Sequence, residues 1–470
     1  MTGDVRDLGM VGLGVMGRNL LLNAADKGFS VAGYDRVSEQ RQALREEAGE
    51  KDISVAESVA ALVSMLQPPR AVMLLVPSGP PVDDVIGELA KNLMRGDIII
   101  DAGNSYFKDT DRRAAGLEEK GIRYLGVGVS GGAAGARHGA SIMGGGPLDA
   151  YEQVHPIFEA VAAHVNGNPC AAWLGPRSAG HYVKMVHNGI EYGIMQLIAE
   201  CYDVMNRSLG LSNDELHDVF AQWNCGKMTS FLLEITAKIF LKADDLTNQR
   251  LINVILDESG HLGTGMWTSE STLELHLPAP TIDMAVVMRD MSSYKNRLRM
   301  EKKNGKSSVL RYHGDRDEMI RRLESAFQAS AILTYAQGMA LLGEASQAFK
   351  YGLDLATVAR VWQGGCIIRS ELLEDIKQAF NACPNLTNLL MDGRFAEAVK
   401  CRQEDLRWIT GICAKLHVPI SALMVSLSYW DAFQSEWLPA NLIQAQRDYF
   451  GWHTYRRVDQ KGVFHTHWGE

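Results

Sequence analysis

The sequence predicts a doubly wound α/β sheet followed by a large all-helical domain and a separate C-terminal tail, and three observations carry that prediction. Up to about Pro176, short apolar runs alternate with helical patterns: LGMVGLG, a helix from about Arg18 to Lys27, FSVAGYD, AVMLLVP, DIIIDAG and IRYLGVGV. Alternation of this kind builds a parallel sheet with helices on its faces. Beyond Pro176, apolar residues recur at helical spacing through long segments such as GHYVKMVHNGIEYGIMQLIAECYDVMNRSLGL, broken only by short Gly, Asn or Pro punctuation. From Leu438 the character changes again. RDYFGWHTYRRVDQKGVFHTHWGE is rich in aromatic, basic and histidine residues with little helical periodicity, a composition unlike a disordered tail, so it is expected to dock on something. The expected units are residues 1–178, 179–437 and 438–470.

The bulk properties agree with this organisation. A chain of 470 residues is too long for one ordinary core. Its 46% apolar and 22% charged residues supply packed interiors and a solvated exterior. A net charge of −9 argues against a nucleic-acid partner, because phosphate backbones attract basic faces. No charge-free apolar run approaches the roughly 18–20 residues of a membrane span. The opening MTGDVRDLGMVGLG has no basic region, apolar stretch and small-residue cleavage site in order, so no secretory signal is expected. The seven cysteines are scattered, without a CxxC pair or zinc spacing, which points to a reduced cytoplasmic protein and offers no metal site.

The first chemical signal is a glycine loop. Gly12, Gly14 and Gly17 form GxGxxG directly after an apolar strand and directly before a helix. In that context the three glycines allow a tight turn, close approach of backbone to a pyrophosphate, and close packing of helix on strand, with the helix N-terminus facing the anion. This is a Rossmann-type dinucleotide loop. The second strand runs into Tyr34, Asp35 and Arg36, with Asp35 lying 18 residues beyond Gly17, where an acidic side chain hydrogen-bonds the adenine ribose hydroxyls. A carboxylate there repels the 2′-phosphate of NADP, whereas Arg36 offsets it by pairing with that phosphate or stacking on adenine. The cofactor is therefore NAD or NADP, with a lean to NAD.

The second signal is KMVHNGIEYG, which sets Lys184, Asn188 and Glu191 within roughly 60° of one another around a helix, with His187 and Tyr192 at the edges of that face. The ordinary meaning of such spacing is a solvated Lys/Glu stripe. Here the flanking Met185, Val186, Ile190 and Ile194 are apolar, so the helix is expected to be buried and its polar face to need a partner. A substrate is one candidate.

Taken with GLGVMGRN (12–19), DIIIDAGNS (97–105), GVSGG (128–132), VKMVHNGIEYG (183–193), GCIIR (365–369) and LPANLIQAQRDYFG (438–451), the chain resembles the long-chain 6-phosphogluconate dehydrogenases nearly from end to end. The resemblance implies a decarboxylating dehydrogenase. In that reading Lys184 is the general base and Glu191 the acid. Asn104, Ser130, Gly131, Gly132, His187 and Asn188 hold the substrate carboxylate and hydroxyls. The resemblance also assigns Gly12, Leu13, Gly14, Val15, Met16, Gly17, Asp35, Arg36, Val76 and Asn104 to the cofactor. It implies a homodimer in which the tail of one subunit completes its neighbour's site through Arg447 and His453. As base, Lys184 must be neutral when it takes the C3 hydroxyl proton, and both burial and a helix N-terminal position favour the neutral form.

Two departures from the family pattern bear on the substrate and the cofactor. Family members hold the substrate phosphate with a tyrosine, arginines, and the lysine and threonine of KGTGKWT. Tyr192, Thr264, Arg289 and Arg447 match, but here the motif reads HLGTGMWT, with Leu262 in place of the phosphate-binding lysine and Met266 in place of the second. Glutamates after the SGG are Ala133 and Ala134. Losing a full charge partner costs a dianion about a kcal/mol or more in a partly desolvated pocket. Either His261 or Lys227, which stands where the family usually has an acidic residue, compensates; or the substrate carries a less charged head such as a sulfonate; or affinity has simply weakened. 6-Phosphogluconate is the first reading and a 6-sulfo or other C6-modified gluconate the second. Asp35-Arg36-Val37 replaces the Asn-Arg-Thr of NADP-using members, and Pro77 replaces a lysine often found beside the cofactor. Two other readings stand beside these: a non-catalytic dinucleotide sensor, against which Lys184, Asn188 and Glu191 speak together, and a non-decarboxylating 3-hydroxyacid dehydrogenase, which CO₂ release would distinguish.

Overall fold

The computed structural model describes residues 5–294, 296 and 309–469. Its N-terminal half is built on an eight-stranded sheet. In chain order the strands are β1 (Leu8–Val11), β2 (Val31–Tyr34), β3 (Ile53–Val55), β4 (Ala71–Leu74), β5 (Ile98–Asp101), β6 (Arg123–Ser130), β7 (Ser141–Gly145) and, after a short hairpin of β8 (His164–Val165) and β9 (Asn168–Pro169), β10 (Ala171–Gly175). The spatial order is β10-β7-β6-β5-β4-β1-β2-β3. All neighbours are parallel except β6 and β7. β1, β4 and β5 are buried throughout, as strands covered by helices on both faces must be. Separate apolar cores fill the two sides of the sheet.

The sequence predicts five of the eight strands of this sheet. It missed β3, a three-residue, half-buried edge strand, and β7 and β10, whose SIMGG and AAWLG lack both alternation and a β-branched run. The first helix, α1, spans Val15–Asp26 rather than starting near Arg18, because the helix begins directly at the glycine turn, with Gly14 as its N-cap.

After β10 the described residues are helical, with one large core of their own. The central element is the 25-residue helix α8 (Ala179–Asp203), which packs on β6, β7, α11 (Thr264–Glu274), α12 (Pro280–Ser293) and the long helix Arg316–Ala348. Such close burial needs small residues at the crossings. A Cβ on Gly128 of β6 would stand 2.3 Å from the Lys184 Cβ, and one on Gly180 would stand 2.3 Å from the Met143 carbonyl oxygen. Gly189 and Gly193 give the same clearance to Thr268 and Thr334. Glu200, at the far end of α8, accepts from the backbone N–H groups of Ala422 (2.8 Å) and Leu423 (3.0 Å), capping helix Ser421–Gln434.

The tail departs from the expectation of little helical order: it opens with a helix, Ala440–Gly451. Only Asp448 of that helix is buried, and its carboxylate gathers the rest of the tail, accepting from Thr454 N, Thr466 N, His465 Nδ1 and Trp468 Nε1 at 2.8–3.0 Å. The tail is therefore ordered around its own polar centre. Among the described residues, no helix is long and apolar enough to cross a membrane.

Candidate active site

The glycine loop has the backbone geometry the motif requires. Gly12 sits at φ 99°, and a Cβ there would lie 2.3 Å from the Leu75 carbonyl oxygen. A Cβ on Gly17 would lie 1.9 Å from the Gly12 carbonyl oxygen, so only glycine lets α1 approach the turn. Gly14 and Val15 are exposed, Met16 is half-buried, and no side chain caps the N-terminus of α1, leaving its amides for an anion. Beside it lies a cavity of about 400 Å³ whose lining includes Gly12, Gly14, Asp35, Arg36 and Val76. Leu13 is buried, and its amide donates to Asp35 Oδ2 at 2.7 Å, while Val37 N donates to Oδ1 at 2.9 Å. The Asp35 carboxylate is thus fixed by backbone, with a lone pair on each oxygen still available for hydroxyl donors.

The candidate catalytic face lies on α8 against the end of β6. Lys184, His187 and Asn188 are all buried, and so is Ser130 at the end of β6. Ser130 Oγ is 3.3 Å from His187 Nε2, and His187 Nδ1 is 3.0 Å from Asn188 Oδ1, 3.4 Å from Lys184 Nζ and 3.8 Å from a Glu191 carboxylate oxygen. Burial, and then the neighbouring Lys184, hold the His187 imidazole well below its ordinary pKa, so it is neutral. One tautomer satisfies the ring: Nδ1–H donates to Asn188 Oδ1 and Nε2 accepts from Ser130. Gly131 (φ 122°) and Gly132 (φ 61°) follow, opening the helix Gly132–His138; a Cβ on Gly131 would strike the Gly365 carbonyl oxygen at 2.4 Å.

Burial also lowers the Lys184 pKa, opposed by the negative charge of Glu191, while burial raises the Glu191 pKa, opposed by Lys184 and Arg289. The two groups are pushed toward each other, to neutral amine and neutral acid. The helix N-terminus, expected from the sequence to lower the Lys184 pKa as well, does not contribute. Lys184 is the sixth residue of α8, beyond the first turn where a helix dipole acts, so burial rather than the helix end shifts it.

Farther along, Tyr192 is buried against Ala285 and Val286, and the Arg289 guanidinium lies 3.5 Å over its ring. Thr264 is buried at the first position of α11, and Gly265 admits the Tyr192 ring, which a Cβ would meet at 2.4 Å. Leu262, by contrast, is 82% exposed. His261 is committed to Asp290, with Nε2 3.2 Å from its carboxylate, and Lys227 lines a different cavity that contains none of the predicted substrate residues. Lys227 is therefore away from the Tyr192–Arg289 pair, whereas His261 lies close to it, with Arg289 Nη1 donating to the Gly260 carbonyl at 3.4 Å, but is engaged by Asp290. Asn104 is exposed on the loop after β5. Arg447 and His453 are exposed on the tail, and their described contacts are with the tail's own Gln444 and Phe450.

The matches to known proteins follow the same division. Residues 7–175 match the model for the NAD binding domain of 6-phosphogluconate dehydrogenase, and residues 180–468 the model for its C-terminal domain. The chain belongs to the 6-phosphogluconate dehydrogenase family. It is 47% identical to the decarboxylating 6-phosphogluconate dehydrogenase of Synechococcus elongatus, over 99% of each chain. It is 45% identical to the NADP(+)-dependent, decarboxylating enzyme of Bacillus subtilis, over 98% of this chain and 99% of that one. The solved 6-phosphogluconate dehydrogenase of Plasmodium falciparum superposes with a TM-score of 0.94 at 42% identity, covering 98% of this chain and all of that one.

Seen as a member of the 6-phosphogluconate dehydrogenase family, the chain has site-supporting residues that the sequence reading missed. Asp101, buried at the end of β5, accepts from Ser105 Oγ (2.6 Å), Tyr124 OH (2.7 Å) and Gly103 N (3.1 Å), and its carbonyl accepts from His181 Nε2 of α8 (3.0 Å). It ties the Asn104 loop to the catalytic helix. The available signal was a carboxylate closing the apolar strand IIID, which reads as a polar strand end unless its partners are known. Asp290, next to Arg289, carried no signal at all.

Proposed function

We propose that this chain carries out the oxidative decarboxylation of 6-phosphogluconate to a ketopentose phosphate and CO₂ with reduction of NAD(P). The observation that carries this reading is the buried pair on α8: a lysine and a glutamate, each pushed toward its neutral form, on one polar face beside Ser130, His187 and Asn188. The names of the relatives agree with it.

Lys184, as the neutral amine, takes the C3 hydroxyl proton as hydride leaves C3. When bound, the nicotinamide supplies the hydride acceptor. The product is a β-keto acid, and the newly formed Lys184 ammonium donates to its ketone oxygen and stabilises the enolate charge as CO₂ departs. Glu191, protonated, then delivers a proton to C1 of the enediol. Asn104, Ser130, Gly131, Gly132, His187 and Asn188 bind carboxylate and hydroxyls. Tyr192, Thr264 and Arg289 hold the C6 head, together with Arg447 and His453 of a second copy.

The finer preference is for NAD. Asp35, Asp84 and Glu88 all line the cavity beside the glycine loop, with Arg36 as its one cation, an environment hostile to a 2′-phosphate. The Bacillus subtilis relative is named as NADP(+)-dependent, so the preference belongs to the residues of this chain. A homodimer is supported by the tail, where Leu442, Ile443, Phe450 and Trp452 are each about 60–70% exposed, more apolar surface than an isolated helix keeps in water. Seven unpaired cysteines suit a reducing cytoplasm.

A second reading of the head group rests on the exposed Leu262 and on Asp290, which adds a carboxylate next to Arg289: a sulfonate, being a monoanion, needs fewer cations. The test is kcat/KM for 6-phosphogluconate and 6-deoxy-6-sulfogluconate, each with NAD and NADP. Preference for the phosphate with NAD supports the first reading. Preference for the sulfonate moves the chain to the second, and turnover of neither contradicts both.

A further inference from the structure

Lys227, a cation where the family usually has an acid, does not serve the site described above; it lines a cavity of about 320 Å³ in the helical domain. That volume is at the small end of the range for small-molecule pockets. The cavity lies where the loop after helix Asn213–Trp223 meets helices Arg316–Ala348, Leu372–Ala382 and Gly393–Lys400. Its floor is apolar and buried, made by Met228, Ile332, Leu372 and Phe395.

The rim is cationic. Arg402 is fixed, its Nε donating to Gln328 Oε1 at 2.9 Å and its Nη1 to the Ala398 carbonyl at 2.8 Å, while its Nη2 has no partner among the described residues. Gln328 in turn donates to Glu324 at 3.2 Å. Arg394 shares its charge with Asp392 at 3.3 Å. Lys227 is exposed and has no hydrogen-bond or ion-pair partner among the described residues. Of the carboxylates nearby, Asp375 lies in the lining, Asp392 is paired with Arg394, and Glu324 stands close enough to Arg402 to feel its charge. With Arg394 paired, Lys227 and the Nη2 of Arg402 are the cationic groups left to face an anion, and the apolar floor is a low-dielectric wall that strengthens their attraction.

We propose that this cavity is a second binding site, separate from the catalytic one, for a small organic anion: a phosphate or carboxylate head held by Lys227 and Arg402 on an apolar or aromatic body that covers Met228 and Phe395. Asp375 accepts from a hydroxyl or amine of the same molecule. With an acid at position 227 the rim would lose two units of positive charge, so the site depends on this chain's own departure from its family.

The probe is phenyl phosphate, an aromatic dianion, titrated calorimetrically at low ionic strength into the full-length protein holding one molecule of 6-phosphogluconate per chain. The expected result is one molecule bound per chain, with Lys227→Glu and Arg402→Gln each weakening binding about tenfold, as loss of a charge-assisted contact does. Lys227 is exposed on a loop, so Lys227→Glu should fold, and its KM for the sugar acid should equal that of the unaltered chain. No saturable binding, equal binding by both variants, or a raised KM in Lys227→Glu would each overturn the proposal.

Discussion

Lys184 Nζ stands 3.4 Å from His187 Nδ1, a nitrogen that is itself 3.0 Å from Asn188 Oδ1. If Nδ1–H donates to Asn188, Lys184 meets that N–H through a lone pair, as the neutral amine. Burial favours the same form. Hydrogen bonding and desolvation therefore agree on the protonation state that a general base requires before substrate arrives.

The pH profile should record this pair. Lys184 must be without its proton, so kcat/KM rises as pH rises through its lowered pKa; Glu191 must hold one, so the rate falls as pH rises through its raised pKa. The two limbs belong to the coupled pair. Glu191→Gln is expected to reduce kcat about 10²–10⁴-fold and to remove the alkaline limb. Lys184→Met should lose comparable activity at every pH, and a pH–rate series on both variants checks it.

Gly128→Ala tests how the helix is seated. The added methyl would stand 2.3 Å from the Lys184 Cβ, so either β6 or α8 must shift. Overpacking of this kind costs about 1–3 kcal/mol. Thermal denaturation should show a lower Tm, and kcat should fall more than KM rises, because the displaced group is the base.

Leu262→Lys restores the family's cation at an exposed position. A charge-assisted contact to phosphate contributes about 1.5–3 kcal/mol, so kcat/KM for 6-phosphogluconate should rise at least tenfold, with a smaller gain for the sulfonate. An unchanged value would mean that another group already supplies the charge.

Exchange of tails predicts complementation. Lys184→Met keeps a normal tail, and Arg447→Ala keeps a normal body; both should be nearly inactive alone. In a mixed dimer the normal body receives the normal tail, so co-refolding equal amounts should recover roughly a quarter of full activity. Activity that stays at the sum of the two parents would rule out the shared site.

How far the sequence reached depended on the kind of residue. The glycine loop and the Lys184–Glu191 face were legible because their spacing is local: three glycines ahead of a helix, and side chains one and two turns apart. Gly128 and Asp101 were quoted within motifs, yet their roles were not legible, since one is the clearance for a helix beginning some fifty residues later and the other a hub for Ser105, Tyr124 and His181. The His261–Asp290 pair joins two elements and had no local signal. The tail helix was not legible because its apolar residues Leu442, Ile443 and Phe450 are exposed and leave no buried stripe at helical spacing.

The central claim is tested most directly by incubating the protein with NAD and 6-phosphogluconate labelled at C1, measuring reduced cofactor and labelled CO₂ in the same reaction. The account predicts one CO₂ per reduced cofactor, with both signals lost in Lys184→Met. Reduced cofactor without labelled CO₂ would contradict it, and would make the chain a dehydrogenase that leaves the carboxylate in place.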